Sequence, residues 1–144
     1  MNLLRNYILI LFLSLTFIQA NTYNIRFQPV LATFGTFHGG IEFKSTKNLS
    51  YQATMYLDGA DFTTFGGTAY YYFLEVLKDG FYTSASVSLG KSSGENIVHT
   101  KAALAYQWIW DSFNINLGYH YSIIFTSISN AGSDGIELYC GFAF

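Results

Sequence analysis

The chain has 144 residues, room for one domain, and 51% of them are apolar against only 11% charged. Its formal charge of −2 comes with no basic patch, which excludes the usual nucleic-acid-binding surface. Cys140 is the only cysteine, which excludes an intramolecular disulfide.

Residues 1–20 read as an export signal. Arg5 supplies the basic start, Tyr7 to Phe17 the apolar stretch, and Ile18-Gln19-Ala20 a small-residue cleavage site. Residues 21–144 then form the mature domain. Mean hydropathy is +0.24, yet no run past residue 20 approaches the ~18 apolar residues that a membrane helix needs. Apolar residues must instead be distributed one by one, as in a transmembrane β-barrel.

Eight strands are predicted, joined by alternating long and short connections. The first runs from Thr22 to Leu31, with Pro29 expected to cause a bulge or bend because it cannot donate a ladder hydrogen bond. The second covers Phe37 to Lys44 and the third Leu49 to Asp58, both alternating apolar and polar residues. A loop holding Gly59, Asp61, Gly66 and Gly67 precedes the fourth, Thr68 to Leu74, whose block Tyr70-Tyr71-Tyr72-Phe73 leaves its facing open. The fifth strand is Phe81 to Leu89, followed by a polar loop from Gly90 to Asn96. The sixth, Val98 to Trp110, is separated by Asp111-Ser112 from the seventh, Phe113 to Thr126, in which apolar and polar residues alternate throughout. A long loop, Ser127 to Asp134, leads to the closing strand, Ile136 to Phe144.

The charges test this reading. Arg26, Glu42, Lys44, Asp58, Lys101 and Glu137 all fall on the polar face of their strands, and the other charges past residue 20 fall in or beside connections. An apolar face toward hydrocarbon requires that, since a mid-bilayer Arg or Lys costs about 2–4 kcal/mol. The predicted fold is therefore an all-β, eight-stranded, antiparallel up-and-down transmembrane barrel with a lumen filled by side chains. Both mature ends would lie in the periplasm, with short turns there and longer loops outside. Trp108, Trp110, Phe113, Phe73 and Phe144 would form the aromatic girdle at that end.

The lumen holds the candidate functional residues. Arg26 and Lys101 are expected to pair with Glu42 and Glu137 in a polar network that also takes in His120 and Ser122. His120, Ser122 and Glu137 supply a base, a nucleophile and an acid, but a sealed interior gives a substrate no route to them. His38, His99 and His120 lack HxH or HxxxH spacing, so no metal is expected. No cofactor is expected, and no catalytic residue is assigned.

Three resemblances add to this. Phe142 and the terminal Phe144 close an alternating strand that resembles the assembly signal of outer-membrane barrels, which implies the barrel-assembly machinery as a partner. Asn24 to Pro29, the aromatic fourth strand, Gly80-Phe81-Tyr82, Ala105-Tyr106-Gln107-Trp108 and Asn114 to Gly118 together resemble small outer-membrane β-barrel domain proteins of unknown function. That family usually has Gly where Ala105 stands. The stretch Ser127 to Gly132 with Glu137 resembles the end of the outer-membrane lipid A deacylases. By position Ser129 would be the nucleophile and Glu137 the acid, while Ser127 replaces the family's histidine base.

The expected role is non-enzymatic: a structural or surface-exposed barrel of the bacterial outer membrane, in contact with outer-membrane lipid and able to meet a ligand through its loops. The contrasting expectations are a deacylase-like hydrolase and a carrier of small apolar molecules. The carrier needs a gap in the strand ladder, for which Pro29 is the hint.

Overall fold

The computed structural model describes residues 23–58, 62–126 and 129–144. The expected signal segment, Thr22 and Ser127 lie outside these residues. The strands are β1 (Tyr23–Phe27), β2 (Thr36–Lys44), β3 (Leu49–Asp58), β4 (Phe62–Tyr72), β5 (Gly80–Ser92), β6 (Glu95–Trp110), β7 (Phe113–Phe125) and β8 (Asn130–Ala143). One helical turn, α1 (Pro29–Ala32), lies between β1 and β2. Each strand pairs antiparallel with the next, and β1 pairs with β8, so the sheet closes into a barrel.

The registers fix how far the strands lean. Val87 leads through Gly67, Ala53, Ile41 and Ile25 to Phe142 on β8. In the other direction it leads through Thr100 and Ile123 to Gly132. The path therefore closes with a ten-residue stagger. With ordinary strand spacing and rise this tilts the strands by ~40° from the barrel axis. A ten-residue strand such as β3 then rises ~25 Å along that axis, the height of the apolar band of a transmembrane barrel.

Alternation sets the two faces. Ile25, Ile41, Tyr51, Phe65, Phe81, Leu104, Leu117 and Phe142 are exposed on the outside, one from each strand in turn. Asn24, Arg26, Glu42, Ser50, Gln52, Gln107, Asn114, Asn116 and Glu137 are buried inside. The aromatic block of β4 resolves by the same rule: Tyr70 and Tyr72 point inward, whereas Tyr71 and the following Phe73 are exposed.

Several expected boundaries move, each for a local reason. The first strand stops at Phe27, because Pro29 starts α1 instead of making a bulge. β4 begins at Phe62, so Gly66 and Gly67 lie in a strand; a side-chain carbon on Gly66 would come within 2.2 Å of the Val87 carbonyl oxygen. The expected loop from Gly90 to Asn96 is instead continued ladder with a two-residue turn. Ser93 and Gly94 both adopt positive φ there, +49° and +86°, as a type I′ hairpin turn requires. The loop expected from Ser127 to Asp134 is mostly strand, since β8 starts at Asn130. Long connections therefore do not alternate with short ones. These longer strands also place Lys91 and Asp134 on the outer face, where no charge was expected, near the barrel end opposite the termini. Tyr119 donates a hydrogen bond to Asp134 there.

The terminus end is plugged. In the connection from Phe73 to Asp79, Val76 is buried against Tyr70, Tyr72, Tyr82 and Ala105. Its N–H donates to the Lys47 carbonyl at 2.8 Å, and Asn48 Nδ2 donates to the carbonyls of Tyr72 and Leu74. Glu75 meets Lys78 at 2.7 Å and Lys44 at 3.4 Å; the hydrogen bond from Lys78 holds its carboxyl below the usual range.

Gly118 tests the β6–β7 register. It faces Ala105 across the ladder, and a side-chain carbon there would lie 2.4 Å from the Ala105 Cβ. Gly118→Ala is expected to cost about 1–3 kcal/mol in urea unfolding. Adding Ala105→Gly removes the nearest contact and should recover part of that loss, while the Leu104 carbonyl oxygen at 2.8 Å stays in place; a double variant worse than the sum of the two single ones would contradict the register.

Candidate functional site: the luminal polar network

The lumen has two polar layers, and alternation on the eight strands builds both. The layer nearer the termini centres on Arg26, a residue with 0% exposure. Its Nε lies 2.8 Å from Glu42 Oε2, as charge pairing without an aligned hydrogen bond. Its Nη2 donates to Tyr72 and, at 2.8 Å, to Gln107 Oε1; its Nη1 donates to Tyr82 at 3.4 Å. The guanidinium carbon also sits 4.6 Å from the Tyr70 ring centroid and 5.3 Å from that of Tyr82, placing the cation against two π faces.

Glu42 is equally well served. It accepts from Asn24 Nδ2 at 2.9 Å, from the Tyr72 hydroxyl at 2.7 Å and from Ser50. A relay of amides runs back across the barrel: Asn116 donates to Asn114, and Asn114 to Asn24, each at 2.9 Å. Gly141 leaves space for that relay, since a side-chain carbon there would lie 2.6 Å from Asn24 Oδ1. Six residues thus surround one ion pair, as a charge pair shielded from water needs.

The second layer lies toward the far end. Lys101 Nζ meets Glu137 Oε2 at 2.7 Å and donates to the Tyr139 hydroxyl at 2.9 Å. The Tyr139 hydroxyl lies 3.3 Å from His38 Nδ1. His120 Nδ1 is 3.7 Å from Glu137 Oε2 and has no hydrogen-bond partner. Beyond Lys101, Thr54, Thr64, Thr68, Ser86 and Ser88 together with His38 and His99 line a partly open cavity of about 20 Å³, room for about one water.

The expected site residues therefore divide between layers. Arg26 pairs with Glu42 in the first; Lys101, His120 and Glu137 gather in the second. Ser122 is buried near them, but its Oγ lies 2.9 Å from Ser133 Oγ, and no hydrogen bond joins it to His120. Ser129 sits eight residues from Glu137, ~26 Å along an extended strand, so these two do not meet as a nucleophile and its acid. Ser129 instead bonds Thr126. Among the described residues no group of three His, Cys, Asp or Glu side chains is placed to hold a metal ion. Phe142 and Phe144 are exposed on the outside, and Phe144 exchanges both backbone hydrogen bonds with Tyr23.

The sequence does not by itself place Asn24, Ser50, Tyr70 or Tyr72 in the network. The register would have found them, because Ser50 stands opposite Tyr70 and pairs with Lys44 beside Glu42.

The ion pair yields a test. Arg26→Met or Glu42→Met alone strands a buried charge and should cost about 3–5 kcal/mol. The double replacement should cost clearly less than the sum, so a double-mutant cycle of unfolding energies should show strong coupling. Additive losses would contradict the pairing.

No family model, curated protein or solved structure matches the chain.

Proposed function

We propose that the protein is a non-enzymatic barrel of the bacterial outer membrane, with a structural or surface-interaction role. One observation carries this reading: every strand turns large apolar side chains outward while the ionised pairs are held inside. Water-soluble proteins rarely leave a contiguous apolar surface of that kind uncovered. The ~25 Å rise of the strands, their even number and the outward Trp108, Trp110 and Phe73 near the terminus end support it further. The likeness to small outer-membrane barrel domains and to the assembly signal ending in Phe144 belongs to the same proposal, as does the partnership with lipid and the assembly machinery.

The non-enzymatic part rests on the lumen. Lys101 and Glu137 are already engaged with each other, and Ser122 has no base bonded to it. Short connections also limit what a surface ligand meets. A second reading, a carrier of small apolar molecules, is favoured by one feature: β1 ends at Phe27 while β8 continues to Asn130, leaving a gap in the ladder.

The membrane reading is tested at Leu117, which is exposed on the outer face four residues above Phe113, ~10 Å along the axis from the aromatic end. In lipid vesicles Leu117→Arg should cost about 2–4 kcal/mol in folding titrations. A water-soluble barrel would tolerate the same exposed substitution within about 0.5 kcal/mol. Unchanged stability together with a folded, lipid-free protein would overturn the reading.

A further inference from the structure

The ladder is incomplete on one side. β1 pairs with β2 as far as Phe27↔Gly39 and with β8 as far as Phe27↔Cys140. Gln28 adds one hydrogen bond to the His38 carbonyl, and the chain then turns into α1. Beyond this point β8 runs on from Tyr139 to Asn130 with no β1 residue opposite. Thr36 and Phe37 stand on the other side of the same notch. With one strand missing, the flanking strands are two spacings apart, ~9.5 Å, which leaves the width of one extended chain.

What fills the notch fits it loosely. α1 lies against β2 and β8 but buries none of its residues. The outer rim is apolar and among the most exposed surfaces of the molecule: Phe34 is 78% exposed and Ile136 77%. The inner side is polar. Glu137 and Tyr139 project inward from β8, His38 from β2, and Lys101 bonds both β8 residues. Lys101 has three N–H donors, of which these contacts use two. Gly135, on the inward face of β8, puts no side chain in front of His120; a carbon added there would lie 3.5 Å from the His120 ring. The notch thus joins an apolar rim to the one ammonium group of the second layer.

We propose that this notch is a lateral port for a long-chain fatty acid. One acyl chain matches a gap one strand wide and lies along Ile136 and Phe34. The carboxylate takes the remaining Lys101 donor and an N–H of His120, whose Nδ1 has no hydrogen-bond partner. A bilayer places such amphiphiles beside the notch, and a polar headgroup there also meets β8 backbone that no strand covers. The proposal rests on the membrane reading and deepens its carrier alternative by naming the ligand and its contacts.

The test uses the full-length protein folded in phosphatidylcholine vesicles, with stearic acid spin-labelled near its carboxyl as the probe. Electron paramagnetic resonance should show an immobilised fraction beyond that of vesicles alone. Gly135→Leu, which fills the port and removes no charge, should weaken that binding at least tenfold. Replacing Lys101 and Glu137 together by methionine should abolish it without stranding a buried charge. Resistance to unheated detergent shows that each variant has folded. Folded, vesicle-inserted protein with no extra immobilised stearate, or with binding that neither variant changes, overturns the port and leaves the membrane reading intact. A stronger Gly135→Leu effect on a two-chain spin-labelled phospholipid than on stearate also overturns it. A chain that never enters vesicles overturns the membrane reading itself.

Discussion

The structure depends on the buried pair of Arg26 and Glu42. Removing two charges from water costs several kcal/mol per ion, and the cost is met only where hydrogen bonds serve the remaining donors and acceptors. Tyr72 and Gln107 do this for the guanidinium; Asn24, Tyr72 and Ser50 do it for the carboxylate. Those partners come from β1, β3, β4 and β6, so the pair ties together strands far apart in the sequence. With the interior committed mainly to polar groups and tyrosines, most large aliphatic side chains are left to the outside. The inverted distribution of the molecule follows from that.

The two layers of the lumen do different work. The first is closed: its aromatic rings, amides and Val76 fill the barrel down to the terminus end. The second is looser, with a small cavity lined by hydroxyl groups, His38 and His99, and with a His120 Nδ1 that lacks a hydrogen bond. The loose layer is also the one beside the notch left by β1. Stability and any exchange with the surroundings are thus assigned to opposite halves of one barrel.

Much of this was legible in the sequence, because alternation is a local signal. β3 appears with its expected bounds, and β7 within one residue. The inward positions of Arg26, Glu42, Lys101 and Glu137 followed from counting by twos. What failed was punctuation. Gly66, Gly67, Gly90 and Gly132 read as loop residues in isolation, yet they sit in strands where the neighbouring strand crowds the added carbon or the ladder simply continues. Pro29 in the sequence alone reads as a bulge or bend within a strand, whereas it opens a helical turn and ends the pairing. Which charged residues meet whom depends on stagger around the barrel, and no single strand encodes that. Ser129 and Glu137 look adjacent on paper but are held apart because the segment between them is extended.

Whether the outer face meets lipid is reported directly by the protein's two tryptophans, without substitution. Trp108 and Trp110 both point outward near the terminus end, 38% and 55% exposed. Folded into vesicles whose lipids carry bromine on the upper acyl chain, the protein should lose most of its tryptophan fluorescence. Bromine near the chain end should quench less, because these residues belong to the interfacial girdle. Equal fluorescence in brominated and unbrominated vesicles, with the barrel folded in both, would contradict lipid contact.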